Sequence, residues 1–127
     1  MYRLFGNFSF SAHQTNYPKD QQLSEIGSSA IGKTDTGIPL VINGLCGMGQ
    51  QEILVFKVFG TKKVMTIKSW SELWVSECDQ PEIKVELKDH PTTLWDACHD
   101  AQNGREATLV SFEEGLIVQQ WIDELLT

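Results

Sequence analysis

The chain has 127 residues, 41% of them hydrophobic and 21% charged, and its formal net charge is −7. This length and apolar content are sufficient for a buried core, and a single domain over residues 1–127 is expected. No apolar run reaches the roughly 20 residues of a membrane-spanning helix, and the first residues lack the apolar core of a signal peptide, so we expect a cytoplasmic protein.

The charge is distributed unevenly along the chain. Residues 1–68 hold four acidic and seven basic side chains, whereas residues 69–127 hold thirteen acidic and three basic ones. A nucleic-acid-binding surface needs clustered Lys and Arg, so the acidic second half argues against nucleic acid and favours a basic protein partner. Cys46, Cys78 and Cys98 have no CxxC spacing, which favours reduced thiols over a disulfide framework.

The first part of the chain is predicted to contain two strands separated by a loop and a short helix. Aromatic residues predict a strand over residues 2–10. Residues 13–19 are polar and include a Tyr-Pro pair, which is typical of a loop. Apolar residues at helical spacing predict a helix over residues 21–31, and the apolar run at residues 38–42 predicts a second strand.

The segment 43–49 (NGLCGMG) is rich in glycine, which allows a backbone to approach a ligand closely. The order of its glycines differs from the dinucleotide-binding fingerprint, and a predicted strand follows it where a phosphate-binding loop needs a helix N-terminus. Its thiol would act as a nucleophile if a histidine lay beside it, although a hairpin loop with a half-buried cysteine is the simpler interpretation. The alternative ligand-binding loop consists of Asn43, Gly44, Cys46, Gly47 and Gly49.

Residues 51–68 (QEILVFKVFGTKKVMTIK) predict a β-hairpin with a two-residue turn at Gly60-Thr61. This turn would pair Phe56 with Met65. One face of the hairpin is apolar and consists of Leu54, Phe56, Val58, Met65 and Ile67. The opposite face mixes apolar residues with lysines, and we expect it to be partly covered or to contact a second subunit.

The capping-box pattern at residues 69–72 (SWSE) predicts a helix over residues 70–78, with Trp70 and Trp74 about one turn apart. The two tryptophans are interpreted as core residues, with anchors for a protein partner as the alternative. The alternating sequence PEIKVELK predicts a half-exposed strand over residues 81–88.

Two more helices are predicted, from residue 92 or 93 to about 103 and from about 112 to about 126, with a strand at 105–110 between them. The expected buried face of the first helix is Leu94, Trp95, Cys98 and Ala101. That of the second is Val118, Trp121, Ile122, Leu125 and Leu126.

A cluster of metal-ligand types lies on the first of these two helices. Asp96, His99 and Asp100 share one face at a spacing compatible with a divalent ion. Three ligands from one helix without a fourth make a poor site, and we assign no metal.

These elements predict an α+β fold with a single, mainly antiparallel sheet of about five or six strands and two or three helices packed on one face. No stretch carries a catalytic motif such as GxSxG or HExxH. We therefore assign no cofactor and no catalytic residues, and we favour a binding protein over an enzyme.

The leading hypothesis is a small acidic protein that inhibits or regulates a basic protein partner. The candidate binding residues are acids and tryptophans of the second half: Glu72, Glu77, Asp79, Glu82, Glu86, Asp96, Asp100, Trp70 and Trp74. One alternative is a small-molecule-binding domain or a cysteine-dependent enzyme that uses the loop 43–49. Another is a self-associating domain that forms a homodimer, in which the basic hairpin face of one chain contacts the acidic half of another.

Overall fold

The computed structural model describes residues 1–20, 23–47, 49, 51–86 and 93–127. Its elements follow one another along the chain as α1 (Tyr2–Phe5), β1 (Phe8–Asn16), β2 (Gly27–Thr34), β3 (Pro39–Leu45), β4 (Val55–Phe59), β5 (Lys63–Lys68), β6 (Glu72–Glu77), β7 (Ile83–Lys84), α2 (Leu94–Gln102) and α3 (Phe112–Leu126). None of the helices in these ranges has the length and apolar character needed to pass through a lipid bilayer.

Strands β1, β2 and β3 form a three-stranded antiparallel sheet with β2 in the centre. β1 pairs with β2 along its length, apart from a bulge between Phe10 and Ala12. Gly32 lies beside this bulge, and a Cβ added there would come within 2.3 Å of the Ser9 carbonyl oxygen. The two backbones therefore approach each other at this point more closely than any side chain would allow.

Helix α3 packs across the inner face of this sheet, which we define as the face that carries Phe8. The rings of Trp121 and Phe8 have centroids 3.9 Å apart, and both residues are buried. The indole N–H of Trp121 donates to Asn7 Oδ1 at 2.9 Å, and the Thr15 hydroxyl donates to the Leu125 carbonyl at 2.7 Å. These hydrogen bonds fix the helix on the sheet because they satisfy polar groups that packing removes from water.

Strands β4 to β7 form a second, four-stranded antiparallel sheet in sequence order. Its register places seven apolar side chains on one face: Phe56, Val58, Met65, Ile67, Leu73, Val75 and Ile83. The opposite face, called the mixed face below, carries Lys57, Thr66, Lys68, Glu72, Trp74 and Lys84.

The predicted hairpin is confirmed in its position and its faces but is wrong in its register. Phe56 pairs with Ile67 and not with Met65. The Gly60 N–H donates to the Lys63 carbonyl at 3.0 Å, which closes a longer turn than the predicted two-residue one. The slip of two residues leaves each strand side chain on its predicted face, because side chains alternate with a period of two.

The prediction of a single sheet is wrong, although the α+β class and the antiparallel pairing are confirmed. β3 and β4 follow each other in sequence but do not pair. Pro39, at the start of β3, has no N–H to donate to a neighbouring strand. Side chains of both sheets, including Leu40 and Phe56, instead enclose a cavity between them.

Three predictions near the N-terminus are also wrong. Residues 2–10 contain α1 and the beginning of β1, not one strand. β1 continues to residue 16, where a loop was expected, because β2 satisfies its backbone hydrogen bonds. β2 occupies residues 27–34, where part of a helix at 21–31 was expected, since strands on both sides stabilise a segment whose Gly and Ser are poor helix formers. Residues 21 and 22 lie outside the described ranges.

The helix predicted over residues 70–78 is replaced by a turn and β6. Ser69 and Trp70 have φ angles of 48° and 68°, which are compatible with a tight turn and not with a helix start. β6 then pairs with β5 on one side and with β7 on the other. Two rows of backbone hydrogen bonds therefore prevail over a local capping pattern.

The strands predicted after β6 are reduced or absent. Of residues 81–88, only Ile83 and Lys84 are in a strand, and residues 87 and 88 lie outside the described ranges. Residues 105–110 belong to no helix or strand.

Both predicted C-terminal helices are confirmed. The N-cap residues Thr93 and Ser111 each form a complete capping box. The buried faces are only partly as predicted. On α2 the buried residue is Ala97, while Leu94, Trp95 and Ala101 are exposed; on α3 Trp121 is buried, while Val118 and Ile122 are exposed.

Candidate association surface

Three of the candidate acidic residues lie on or beside the four-stranded sheet, and each forms an ion pair with a lysine. The pairs are Glu72 with Lys84 at 2.5 Å, Glu77 with Lys63 at 2.8 Å and Glu82 with Lys68 at 2.7 Å. Hydrogen bonds from these lysines lower the pKa of all three carboxyl groups. Much of the negative charge predicted for partner binding is therefore balanced within the chain.

Glu82 reaches from the start of β7 across the mixed face. One of its carboxylate oxygens accepts hydrogen bonds from Thr66 Oγ1 at 2.9 Å, and the other from Lys68 Nζ at 2.7 Å. Lys57 Nζ lies further away, 3.4 Å from Oε1. The bonds from Lys68 and Thr66 lower the pKa of Glu82 to about 2. Two lysines thus share one carboxylate, which leaves this spot with an excess of positive charge.

The two candidate tryptophans have different environments. Trp74 is half-buried on the mixed face, with Lys68 Nζ 4.3 Å from its ring centroid and its indole N–H donating to Glu72 at 3.2 Å. Trp70 lies in the β5–β6 turn with 75% of its surface exposed. Trp74 therefore already contacts other side chains of the same chain, whereas the ring of Trp70 is exposed to solvent.

No contact among the described residues joins the remaining candidate acids to these three. Asp96 accepts the hydrogen bonds of the α2 capping box, which lower its pKa, and Asp100 pairs with Arg105 at 3.2 Å. Asp79 and Glu86 form no ion pair with another described residue. Within the described ranges, no three His, Cys, Asp or Glu side chains are arranged to hold a metal ion.

The glycine-rich segment forms part of a cavity of about 590 Å³. Asn43 and Gly44 belong to the end of β3, and they line this cavity together with Cys46, Gly47 and residues 51–55. Gly47 has φ 69°, a conformation that glycine adopts without strain. Gly49 lies in the same segment but does not belong to the described wall.

The Cys46 thiol is exposed, and the described histidines are not beside it. His13 pairs with Ala30, which in turn pairs with Ile42, four residues before Cys46. The rise and spacing of strands place the Cα atoms of His13 and Cys46 about 16 Å apart, beyond the reach of a hydrogen bond. His99 is on α2, where its ring contacts the C-cap asparagine. His90 lies outside the described ranges.

A surface that the sequence did not reveal lies on the outer face of the three-stranded sheet, opposite α3. Ile31, Val41 and Leu45 are exposed there by 53%, 74% and 61%. The polar side chains around them include Lys33, which is exposed two residues beyond Ile31 on the same face, and Ser29, which donates to Asn43 across the strands at 3.0 Å. A single formal charge, that of Lys33, occurs in the sequences of β1, β2 and β3. The sequence of β2 does not alternate between polar and apolar residues, so it contained no pattern that predicts this face.

No family model matches the chain, and no curated protein matches its sequence. Among solved structures, the chain is similar to one described as a "putative oxidoreductase from Thermotoga maritima", with a TM-score of 0.63 and 9% sequence identity. The similarity covers 94% of this chain and 38% of that one, so the chain spans well under half the length of this structural neighbour. At this identity the similarity extends to the fold alone.

Proposed function

We propose that the chain is a protein-association module whose outer sheet face binds a second copy of the same chain. The observation that carries this proposal is the outer face of the three-stranded sheet, where Ile31, Val41 and Leu45 are exposed and Lys33 is the one formally charged residue of the three strands. An apolar patch with a polar rim is typical of an interaction site.

The charge of the chain favours a second copy that binds face to face. Two molecules of net charge −7 repel each other, and contact through a nearly neutral face keeps their charges apart. A C2 dimer uses the same patch on both subunits, so an apolar patch suffices for both sides. A three-stranded face of this length covers roughly 400 Å² by strand geometry, about half of the ~800 Å² per partner in a standard interface. We therefore expect weak, concentration-dependent association.

We also propose that the chain acts as one part of a larger protein or assembly, because its fold forms part of a longer structural neighbour. The Thermotoga maritima protein is much longer than this chain, which corresponds to about two fifths of it. Because the glycine-rich segment lacks the dinucleotide fingerprint, we propose that this module contributes assembly surface, and that any redox cofactor would be bound by another part of such an assembly.

The test is the oligomeric state of the purified chain and of its Val41→Glu variant, measured by sedimentation velocity over a range of concentrations. We expect the chain to dimerise at high concentration and Val41→Glu to remain monomeric, because each interface would then hold two buried carboxylates. Leu116→Glu is the control, since Leu116 is comparably exposed but lies on α3, away from this face. A wild-type chain that stays monomeric throughout, or equal dissociation of both variants, would reject the proposal.

Binding of a basic protein is a second proposal, supported by the acidic residues that no described lysine or arginine neutralises. Among the candidates these are Asp79 and Glu86, both exposed. It ranks lower because the lysines described above balance Glu72, Glu77 and Glu82. The test is binding of poly-lysine to the wild type and to the double variant Asp79→Asn/Glu86→Gln. Binding that weakens with salt in the wild type and is lost in the double variant would support the proposal. Unchanged binding in the double variant would reject it.

A further inference from the structure

The cavity between the two sheets has a composition that the association role does not explain. It has a volume of about 180 Å³ and a mostly apolar wall. Its main side chains are Phe5, Phe8, Ile38, Leu40, Phe56 and Phe59. A dry apolar cavity of about 150 Å³ is large enough to hold benzene, so this one is large enough for a single aromatic ring.

Two polar side chains of the wall, those of Thr34 and Lys57, differ in their ability to bind a ligand. The Thr34 hydroxyl is already engaged with Thr36 Oγ1 at 2.9 Å and accepts the Ile38 N–H at 3.0 Å. Lys57 is also part of the wall, and its ammonium group lies 5.4 Å from the centroid of the Phe59 ring. The position over the ring holds this cation beside the aromatic wall.

Lys57 has an incompletely balanced charge. Its nearest described acid is Glu82, at 3.4 Å, and the same carboxylate makes shorter hydrogen bonds to Lys68 and Thr66. Two ammonium groups therefore contact one carboxylate, and one of the two lysines, Lys57, belongs to the cavity wall. An anionic group attached to a ring would complement both features.

We propose that this cavity binds a small aromatic monocarboxylate, with the ring against the apolar part of the wall and the carboxylate at Lys57. The apolar part of the wall suits the ring, and the carboxylate would pair with Lys57, which shares Glu82 with Lys68. The site is independent of the outer sheet face, so it does not depend on the association role.

The test compares benzoate with benzyl alcohol, a neutral molecule of similar shape, by NMR titration of the cavity methyl groups. We expect saturable benzoate binding with a Kd on the order of 1 mM, as ligand-efficiency limits suggest for so few atoms. Benzyl alcohol should bind about three- to fivefold more weakly, the effect of an ion pair at a half-exposed site. Lys57→Met should remove this difference and leave benzyl alcohol binding unchanged.

Two further variants complete the test. Lys62→Met removes an exposed lysine in the β4–β5 turn that is not part of the wall, and it should leave benzoate affinity unchanged. Ile38→Phe narrows the cavity from a half-exposed position, which limits the risk to folding, and should weaken both ligands. The proposal would be overturned if benzoate showed no saturable binding or if the two ligands bound with equal affinity. It would also be overturned if Lys62→Met and Lys57→Met had equal effects, or if a folded Ile38→Phe variant bound both ligands fully.

Discussion

At the scale of single residues, the hydroxyl of Thr66 has the most demanding environment. Thr66 is 1% exposed, and a buried hydroxyl needs a hydrogen-bond partner. Glu82, which immediately precedes β7, provides that partner and is itself held by Lys68. The residue that resembles a surface acid in the sequence thus connects three strands of the sheet.

Glu82 should make the stability of the chain depend on pH. Its pKa is lowered from 4.5 to about 2 in the folded chain, so its contribution is present above about pH 4.5 and is lost as the pH falls toward 2. The contribution of Glu114 to stability has the same pH dependence, because hydrogen bonds from Arg3 and the α3 cap lower its pKa to about 2. We expect the urea midpoint to fall in this window, and Glu82→Gln to lower the midpoint at pH 7 and reduce the pH dependence.

Glu77→Gln is the matched control for that measurement. Its ion pair with Lys63 is more exposed, 62% on the Glu side, and no buried hydroxyl depends on it. We expect a much smaller change in the urea midpoint, since exposed ion pairs contribute little. Equal effects of the two substitutions would show that Glu82 does not connect the strands.

Two tryptophans should differ in their effect on stability despite their similar sequence contexts. Trp121 is buried against Phe8, whereas Trp95 is 82% exposed on α2. We expect Trp121→Ala to cost about 3–5 kcal/mol of unfolding free energy and Trp95→Ala less than about 0.5 kcal/mol. Chemical denaturation of the two variants measures this; a larger loss for Trp95→Ala would contradict the packing of α3 on the sheet.

At the scale of elements, the same four-residue pattern has two outcomes. Ser-x-x-Glu begins α3 at Ser111, where both halves of the capping box form. At Ser69 it forms a turn between two strands, with φ 48°. The residues after Ser111 can present a helical apolar stripe, whereas β6 has strand partners on both sides. Local capping therefore decides the structure only where no neighbouring strand competes.

This difference predicts opposite responses at the two serines. Ser111→Ala should destabilise the chain by about 1 kcal/mol through loss of the N-cap. Ser69→Gly should be neutral or stabilising, because glycine adopts a positive φ without steric cost. Thermal unfolding of both variants distinguishes the cases, and a clear loss of stability in Ser69→Gly would argue against the turn.

At the scale of the whole molecule, the charge distribution in space differs from that in the sequence. The sequence divides into a basic and an acidic part, but the lysines of β4 and β5 lie beside acids from β6 and the start of β7. The exposed apolar side chains of the outer sheet face lie on strands that carry one formal charge, that of Lys33. Association through this face would depend on salt differently from association through opposite charges.

We expect self-association to strengthen as salt is raised. Salt screens the repulsion between two chains of charge −7, while contact through uncharged side chains is not weakened by screening. Sedimentation at low and high NaCl concentration measures this. Weakening with salt would instead favour pairing of a basic face with an acidic one.

The sequence by itself determined the fold class, the two capped helices and the faces of the central hairpin. Those features follow from local rules: caps within four residues, and a side-chain period of two that survives a register slip. It did not determine the split into two sheets, the strands β2 and β6, or the partners of Glu72, Glu77 and Glu82. These depend on backbone and charge pairing between segments distant along the chain, and only the tertiary structure brings such groups together.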